Sequence, residues 1–370
     1  MKIGSVQLAS PFVVAPMAGM TDTAFRRLVK RQGGCGLVVS EMVSSEGLVR
    51  GIGRTLEYAE YTEEERPVSI QIFGGDPYKM ADAAQVVEGM GADIVDVNMG
   101  CPVPKIARHN AGCRLMREPQ HAAAVIAAMT KAVKIPVTVK MRAGWKDDER
   151  NAPQLARRVQ DAGAAAVTIH GRTAQQSYKG FADWDLVQRV AADLHIPVLG
   201  SGDCVEPGQA IERLALGVSG VLVGRGVLRN PWILAQAADL AAGRAPRAVS
   251  PHERGRFLLE YIELLLSERA DEQRGFRHVA PGMGGSGETP ASGPGRAPER
   301  RERWVVNKVR ALMSWYSKGL EGGSTLREDV NRAGSVSELR DLVVEFFLLE
   351  PLRQAPSDVK LVLQPIYFGV

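Results

Sequence analysis

Eight short apolar runs recur through the first two thirds of the chain, and they limit its fold more than any other feature. In order they are Phe12 to Ala15, Leu37 to Ser40, Val68 to Ile72, Ile94 to Asn98, Val137 to Met141, Ala166 to His170, Pro197 to Gly200 and Val221 to Gly224. Within a run the apolar residues are successive instead of alternating, the pattern of strands covered on both faces in a parallel sheet. Between runs lie helical patterns at Thr23 to Arg31, Tyr78 to Met90, Pro119 to Val133, Pro153 to Ala162, Trp184 to Ala192 and Pro207 to Leu216. Strand and helix alternating eight times in about 230 residues predict an α/β fold, a (β/α)8 TIM barrel. A doubly wound open sheet is the competing architecture. The first strand-to-helix turn, Pro16-Met17-Ala18-Gly19, is not the G-x-G-x-x-G loop of a dinucleotide fold and speaks against it.

The pattern changes beyond the barrel. We read residues 1–245 as the barrel and 250–370 as a small helical domain, interrupted by a flexible glycine- and proline-rich insertion at about 280–300. Ser250-Pro251-His252-Glu253 has the form of a capping box with proline at the first helical position. Phe257, Leu258, Tyr261, Ile262 and Leu265 follow as an apolar stripe at helical spacing. After the insertion, which begins near Ala280, helices are predicted at Arg303 to Lys318, ended by Gly319, and near Glu338 to Glu350.

Composition narrows the function classes. With 370 residues, 45% hydrophobic and 24% charged, whole-chain disorder is excluded. No apolar run reaches the roughly 18 to 20 residues of a membrane helix, and Met1-Lys2-Ile3-Gly4-Ser5 lacks a signal-peptide layout, so a cytoplasmic location and no membrane partner are expected. Cys35, Cys101, Cys113 and Cys204 are widely spaced, which supports neither a disulfide framework nor a metal site. A formal net charge of +4 over so large a surface gives only a weak field, compatible with a polyanionic partner without demanding one. A monomer is expected.

In such a barrel the active site lies where the strands end. The polar residues predicted there are Glu41, Gln71, Asn98, Lys140, His170, Ser201, Asp203 and Arg225. Taken alone, Glu41, Ser201 and Asp203 are as well read as turn residues or helix caps; the set of eight on one rim points to a site. The loops Gly200-Ser201-Gly202-Asp203 and Gly224-Arg225-Gly226 are rich in glycine where backbone amides approach an anion, so a cofactor with a terminal phosphate is implied. Lys140 could stabilise charge on a reduced flavin, form a Schiff base with a carbonyl substrate, or close the barrel top as a salt bridge. His170 could bind phosphate or a ring oxygen, or be a hydrogen-bonded structural histidine. In Asp96-Val97-Asn98-Met99-Gly100-Cys101-Pro102, glycine and proline around the cysteine bring its thiol out of the strand above the barrel mouth. An unperturbed thiol, with a pKa of about 8.5, is mostly protonated at neutral pH and suits a general acid. A nucleophilic role would require a depressed pKa, which Lys105 or His109 could supply in space.

With these segments in place, the sequence resembles the tRNA-dihydrouridine synthases, flavoenzymes that reduce selected uridines of tRNA. The resemblance rests on Ala15-Pro16-Met17-Ala18-Gly19-Met20-Thr21-Asp22, Ser40-Glu41-Met42, Gln71, Asn98 to Pro102, Lys140 to Gly144, His170 to Thr173, Gly200 to Asp203 and Gly224 to Gly226. It implies FMN held noncovalently, NADPH as electron donor and tRNA as partner. It places Pro16, Met17 and Ala18 against the flavin, Gln71 and Lys140 on its pyrimidine edge, and His170, Ser201, Gly202, Asp203, Gly224 and Arg225 around the phosphate. Cys101 becomes the proton donor, with Asn98 and Arg172 at the substrate. Hydride from the flavin N5 should reach uracil C6, because the C4 carbonyl polarises the C5–C6 bond, and an acid must then protonate C5.

The target base has to be turned out of its stack to be reached. Arg303, Asn307 and Arg310 fall on one helix face and could offer a basic stripe to the RNA, although a solvated face explains the same pattern. Three features depart from the family: Ser201 where asparagine is usual, Cys113 in a segment that usually reads Ala-Gly-Ser, and the insertion from Ala280. Cys113 could compete with Cys101 in chemical labelling. The rival readings are a Schiff-base lyase using Lys140 and an RNA-binding protein that has lost catalysis.

Overall fold

The computed structural model describes residues 1–103, 106, 110–267 and 298–349. Eight parallel strands form its centre: Phe12–Val14, Leu37–Val39, Val68–Phe73, Ile94–Met99, Val137–Arg142, Ala166–His170, Val198–Ser201 and Gly220–Val223. Each pairs with the next, and the eighth returns to the first through Val221 opposite Phe12 and Val223 opposite Val14, so the ring is closed. With helices between the strands this is a TIM barrel.

Both faces of the strands are buried, for different purposes. Val95, Val97 and Met99, like Val137, Val139 and Met141, face outward into a large core shared with helix residues such as Val87, Val125 and Met129. The intervening positions face the barrel axis. There Val13, Leu37, Val39, Ile94, Ala166, Leu199 and Leu222 form a separate apolar floor with Ile3 and Leu8. Ile3 belongs to a small hairpin, Lys2–Ile3 with Val6–Gln7, which closes the amino-terminal end. Above that floor the inward positions become polar: Asp96 and Asn98, Thr138, Lys140 and Arg142, Thr168 and His170, then Ser201.

The loops after the strands are terminated by helix caps written into the sequence. Asp22 accepts from the Phe25 amide at 2.8 Å to start Thr23–Gln32, Asp76 precedes a proline and caps Pro77–Gly89, and Asp183 caps Trp184–Asp193. Between the second and third strands the structure adds a two-residue strand, Val43–Ser44, and the helices Ser45–Val49 and Gly53–Ala59. Two-residue strands carry no periodicity, so neither this one nor the amino-terminal hairpin shows in the hydrophobic pattern.

Beyond the barrel run the helices Pro251–Ser267, Pro298–Tyr316, Gly323–Arg332 and Val336–Val344, the last continued by a single wide turn at Glu345–Leu349. The predicted box at Ser250 is formed: Glu253 Oε2 accepts from the Ser250 amide at 2.8 Å, and Ser250 Oγ from the Glu253 amide at 3.2 Å. An aromatic cluster fastens these helices to the barrel. Phe257 meets Phe25 edge-on at 6.3 Å between ring centres, Trp232 at 5.4 Å and Tyr316 at 5.7 Å. Each such pair adds about 0.5–1.5 kcal/mol to its apolar burial. Lys105 and His109, the insertion from Ala280 to residue 297, and residues 350–370 lie outside the described residues. No helix among the described residues is long and apolar enough to cross a membrane.

Candidate active site at the carboxyl end of the barrel

The fourth strand carries the densest arrangement. Asp96, 5% exposed, accepts from Gln71 Nε2 and from Thr138 Oγ1, both at 2.6 Å. The Gln71 amide is thereby oriented, and its Oε1 accepts from Asn98 Nδ2 at 2.7 Å. This in turn aims Asn98 Oδ1 at the backbone ahead of it, where it accepts from the Gly100 and Cys101 amides at 3.1 and 2.9 Å. Three neighbouring strands thus hold one loop. Burial raises the pKa of Asp96 above the carboxylate norm, opposed by its bonds from Gln71 and Thr138 and by Lys140.

Arg142 holds the same loop from the other side. Its Nε donates to the Gly100 carbonyl at 2.7 Å, while Nη1 reaches the carbonyls of Thr173 and Ser177 in the loop after the sixth strand. The Cys101 carbonyl accepts from the Cys113 amide at 3.1 Å. Cys101 is therefore fixed through its backbone while its thiol remains partly exposed. Burial raises the thiol pKa, with Arg142 and Lys140 acting the other way, so the thiol carries its proton at neutral pH. Cys113 lies directly behind it, fully buried, and burial pushes its thiol up to about 11. That corrects the expectation that Cys113 competes in labelling, because a reagent meets no exposed sulfur there.

Lys140 stands beside Asn98 in the strand register and makes no hydrogen bond or ion pair with another described residue. Burial, then the nearby Arg142, lower its ammonium to about 8, against Asp96 and Cys101, which favour the charge. His170 is driven well below the usual histidine range by burial and by Arg142, Lys140, Arg172 and Arg225, which makes it neutral at pH 7. Its buried Nδ1 has no hydrogen-bond partner among the described residues. A buried polar atom left without a bond costs about 1–3 kcal/mol, so a ligand atom is the natural complement.

The loops after the seventh and eighth strands complete a cavity whose walls include Pro16, Met17, Gly100, Lys140, Arg142, His170, Tyr178, Ser201, Gly202, Asp203, Gly224 and Arg225. Gly202 has φ +123°, and a Cβ there would come within 2.6 Å of the Ala182 Cβ, so the chain turns where only glycine fits. Asp203, at φ +56°, is held in the left-handed region by Arg172 Nη2 at 2.8 Å and by the Ala182 amide at 2.7 Å. Arg225 stacks over the Tyr178 ring at 4.9 Å.

Nine of the eleven residues expected at a cofactor therefore line one cavity; Ala18 is exposed on the rim, and Gln71 lies below, engaged with Asp96 and Asn98. Of those expected at substrate, Asn98 has its amide engaged by Gln71 and the Cys101 loop. Arg172 is 2% exposed and gives Nη2 to Asp203 and the Gly180 carbonyl and Nε to the Lys179 carbonyl, while its buried Nη1 has no partner among the described residues. Arg310 donates to the carbonyls of Val330 and Ala333 at the end of the helix Gly323–Arg332, which leaves exposed Arg303 without it in the expected stripe. The sequence reading missed Arg142 and Asp96. The alternation Thr138, Lys140, Arg142 along one strand face is the signal that could have found the first.

On the first strand's loop, Met17 to Thr21 forms a tight turn, with the Met20 amide donating to the Met17 carbonyl at 3.0 Å. The Met17 amide donates to Thr21 Oγ1 at 3.0 Å, and Glu41 Oε2 accepts from the Gly19 amide at 2.5 Å. Burial raises the Glu41 pKa, chiefly opposed by Lys308. Among the described residues no group of three or more histidine, cysteine or acidic side chains could hold a metal ion.

The chain matches the family model described as Dihydrouridine synthase over residues 13–289. It is 36% identical over 349 residues to a probable tRNA-dihydrouridine synthase of Rickettsia conorii, a match covering 94% of this chain and 96% of that one. A probable tRNA-dihydrouridine synthase of Rhodobacter capsulatus is 44% identical over 269 residues, 72% of this chain and 82% of its own. The tRNA-dihydrouridine synthase B of Xanthomonas campestris is 41% identical over 243 residues, 65% and 73% of the two chains. Among solved structures, a 2-naphthoyl-CoA reductase complex aligns with a TM-score of 0.50 at 14% identity, over 66% of this chain and 52% of that one, a likeness of fold.

Proposed function

The chain belongs to the dihydrouridine synthase family, and from that premise we propose that it reduces the C5–C6 bond of uridines in tRNA, using FMN and NADPH. The observation that carries this reading is a thiol, Cys101, fixed through its backbone beside a cavity that offers Lys140 and the His170 Nδ1, both without a hydrogen-bond partner among the described residues, and Arg225.

The donor set fits FMN. Lys140 suits the electron-rich edge of a reduced ring, while His170, Arg225 and the backbone at Gly202 suit a phosphate and its ribityl chain. Bound there, FMN would supply two electrons from NADPH to the base. Cys101 Sγ then holds the proton that C5 needs, and burial keeps it on sulfur until charge develops at C5. Asn98 and Arg142 keep that sulfur at one height above the barrel, the condition under which a proton donor is effective. The uridine would enter extruded from its stack, and exposed Arg303 is a candidate contact for the RNA backbone.

The test is mass analysis of unmodified tRNA incubated with the protein, FMN and NADPH. Gain of two hydrogens on a uridine supports the reading; unchanged tRNA with a reducible bound flavin would leave a non-catalytic binder. The lowered pKa of Lys140 also suits an amine nucleophile, and borohydride trapping of a carbonyl adduct on it would favour a Schiff-base lyase instead.

A further inference from the structure

The first strand's loop is fastened by something outside the barrel. The helix Pro298–Tyr316 sends Lys308 back across the chain, and its ammonium donates to the Gly19 carbonyl and, at 2.6 Å, to Asp22 Oδ2. This side chain is 9% exposed and Asp22 11%, and the Trp304 ring lies 5.2 Å from the ammonium. Asp22 is shared: Oδ1 caps the first helix at the Phe25 amide, while Oδ2 also accepts from Tyr261 OH at 2.9 Å, on the helix Pro251–Ser267. Other charges lie near this group: Glu41 on the Gly19 amide, Arg26 on the Thr21 carbonyl at 2.7 Å, and Glu57, Glu60 and Arg301 on the walls of the cavity beside it.

The Gly19 peptide is thus gripped at both ends, its N–H by Glu41 of the barrel and its C=O by Lys308 of the C-terminal helices. Gly19 sits at φ +76°, and a cavity of about 210 Å³ separates the turn from the helix, lined by Gly19, Asp22, Glu41, Tyr58, Trp304 and Lys308. Across such a gap close packing does not reach the turn, so the ammonium bridge adds a hold from the C-terminal helices to those that Glu41 and Arg26 supply from the barrel. The same turn presents Met17 to the cavity of the candidate active site.

We infer that Lys308 is a positioning residue through which the C-terminal helices set the Met17–Thr21 turn, and with it one wall of the cofactor cavity. The function of that wall rests on the flavin reading above; the position of the turn does not. An RNA docked on these helices would then act on the wall through Lys308, alongside the Tyr261 hydrogen bond to Asp22.

The experiment compares wild type with Lys308→Met and Asp22→Asn, the second of which keeps a side-chain oxygen for the helix cap. Two quantities are read: hydrogen exchange at the Gly19, Met20 and Thr21 amides in cofactor-free protein, and the dissociation constant for added FMN with its visible spectrum. Lys308→Met should speed exchange at these three amides and weaken FMN about tenfold each, with a shifted flavin band. Asp22→Asn should act in the same direction and less, because it leaves the Lys308 bond to the Gly19 carbonyl, and the double variant should exceed Lys308→Met by no more than the Tyr261 hydrogen bond that Asp22 also holds. Folded variants whose exchange and FMN affinity stay within about twofold of wild type would overturn the inference. If Lys308→Met does not fold, Asp22→Asn decides alone. A wild-type chain that binds no FMN would defeat the flavin reading, and the exchange comparison would still decide this one.

Discussion

Two loops at the barrel mouth are held in opposite ways. The loop after the fourth strand hangs from the barrel itself: Asn98 beneath it, Arg142 beside it, and the buried Asp96–Gln71 pair behind Asn98. The loop after the first strand is tied in large part from outside, by Lys308 and by Tyr261 through Asp22. The difference is one of what each must withstand. A group that delivers a proton needs a fixed height above the reacting atom, and the closed ring is the stiffest part of the molecule to fix it from. A cavity wall tied to appended helices can respond to whatever those helices bind.

The largest effect should come from removing the reacting group and leaving both loops alone. Cys101→Ala is expected to lower dihydrouridine formation by about 10²- to 10⁴-fold, the usual range for loss of a general acid, with FMN binding and reduction by NADPH preserved. Single-turnover reoxidation of the reduced flavin by tRNA measures it. An unchanged rate would remove Cys101 from the chemistry and with it the reason for the fourth loop's rigid support.

Next in size is a change that loosens the fourth loop and spares the first. Asn98→Ala removes the acceptor for the Gly100 and Cys101 amides and leaves Gln71 Oε1 without its donor. Misplacing the thiol by an ångström should lower turnover about 10²-fold. Hydrogen exchange should rise at Gly100 and Cys101 and remain at the wild-type value at Gly19 to Thr21. Equal rises in both loops would mean that they are one mechanical unit, and the contrast would fail.

How much of this was legible in the sequence follows from what kind of bond holds each part. The eight strands were visible because burial on both faces writes continuous apolar runs, and Lys140, His170 and the loops at Gly202 and Gly224 were found because position at a strand end is readable from those runs, whereas Pro16 and Met17 were placed only by the family resemblance. Asp96 and Thr138 lie one layer lower, where a polar residue inside an apolar run has no pattern of its own. Arginine is the hardest to read. Arg142, Arg172 and Arg310 all bind carbonyls of segments distant in the chain or in an adjoining loop, and nothing local to an arginine says which carbonyl its long arm will reach. Lys308 was invisible for the same reason, since its partners lie 286 and 289 residues away.

Lys140 hangs on neither loop and gives the smallest and most separable effect. Its folded-state pKa of about 8 is below the unfolded value near 10.5. Below pH 8 both states carry the proton, and the folded state bears the full cost of burying the charge. Between about pH 8 and 10.5 the folded state releases its proton while the unfolded chain keeps it, so the unfolded state binds more protons and stability rises with pH. Lys140→Met in cofactor-free protein should therefore be more stable than wild type at pH 7, by about 1–2 kcal/mol after allowance for its partial exposure, with the advantage shrinking toward pH 10. Thermal melts of both proteins at the two pH values measure it. An advantage of equal size at pH 7 and pH 10 would assign the gain to methionine packing and remove the strained ammonium from the account. An advantage that fades would mark Lys140 as a charge kept at a cost to the fold, which in a barrel mouth holding no partner for it among the described residues is the mark of a group reserved for a ligand.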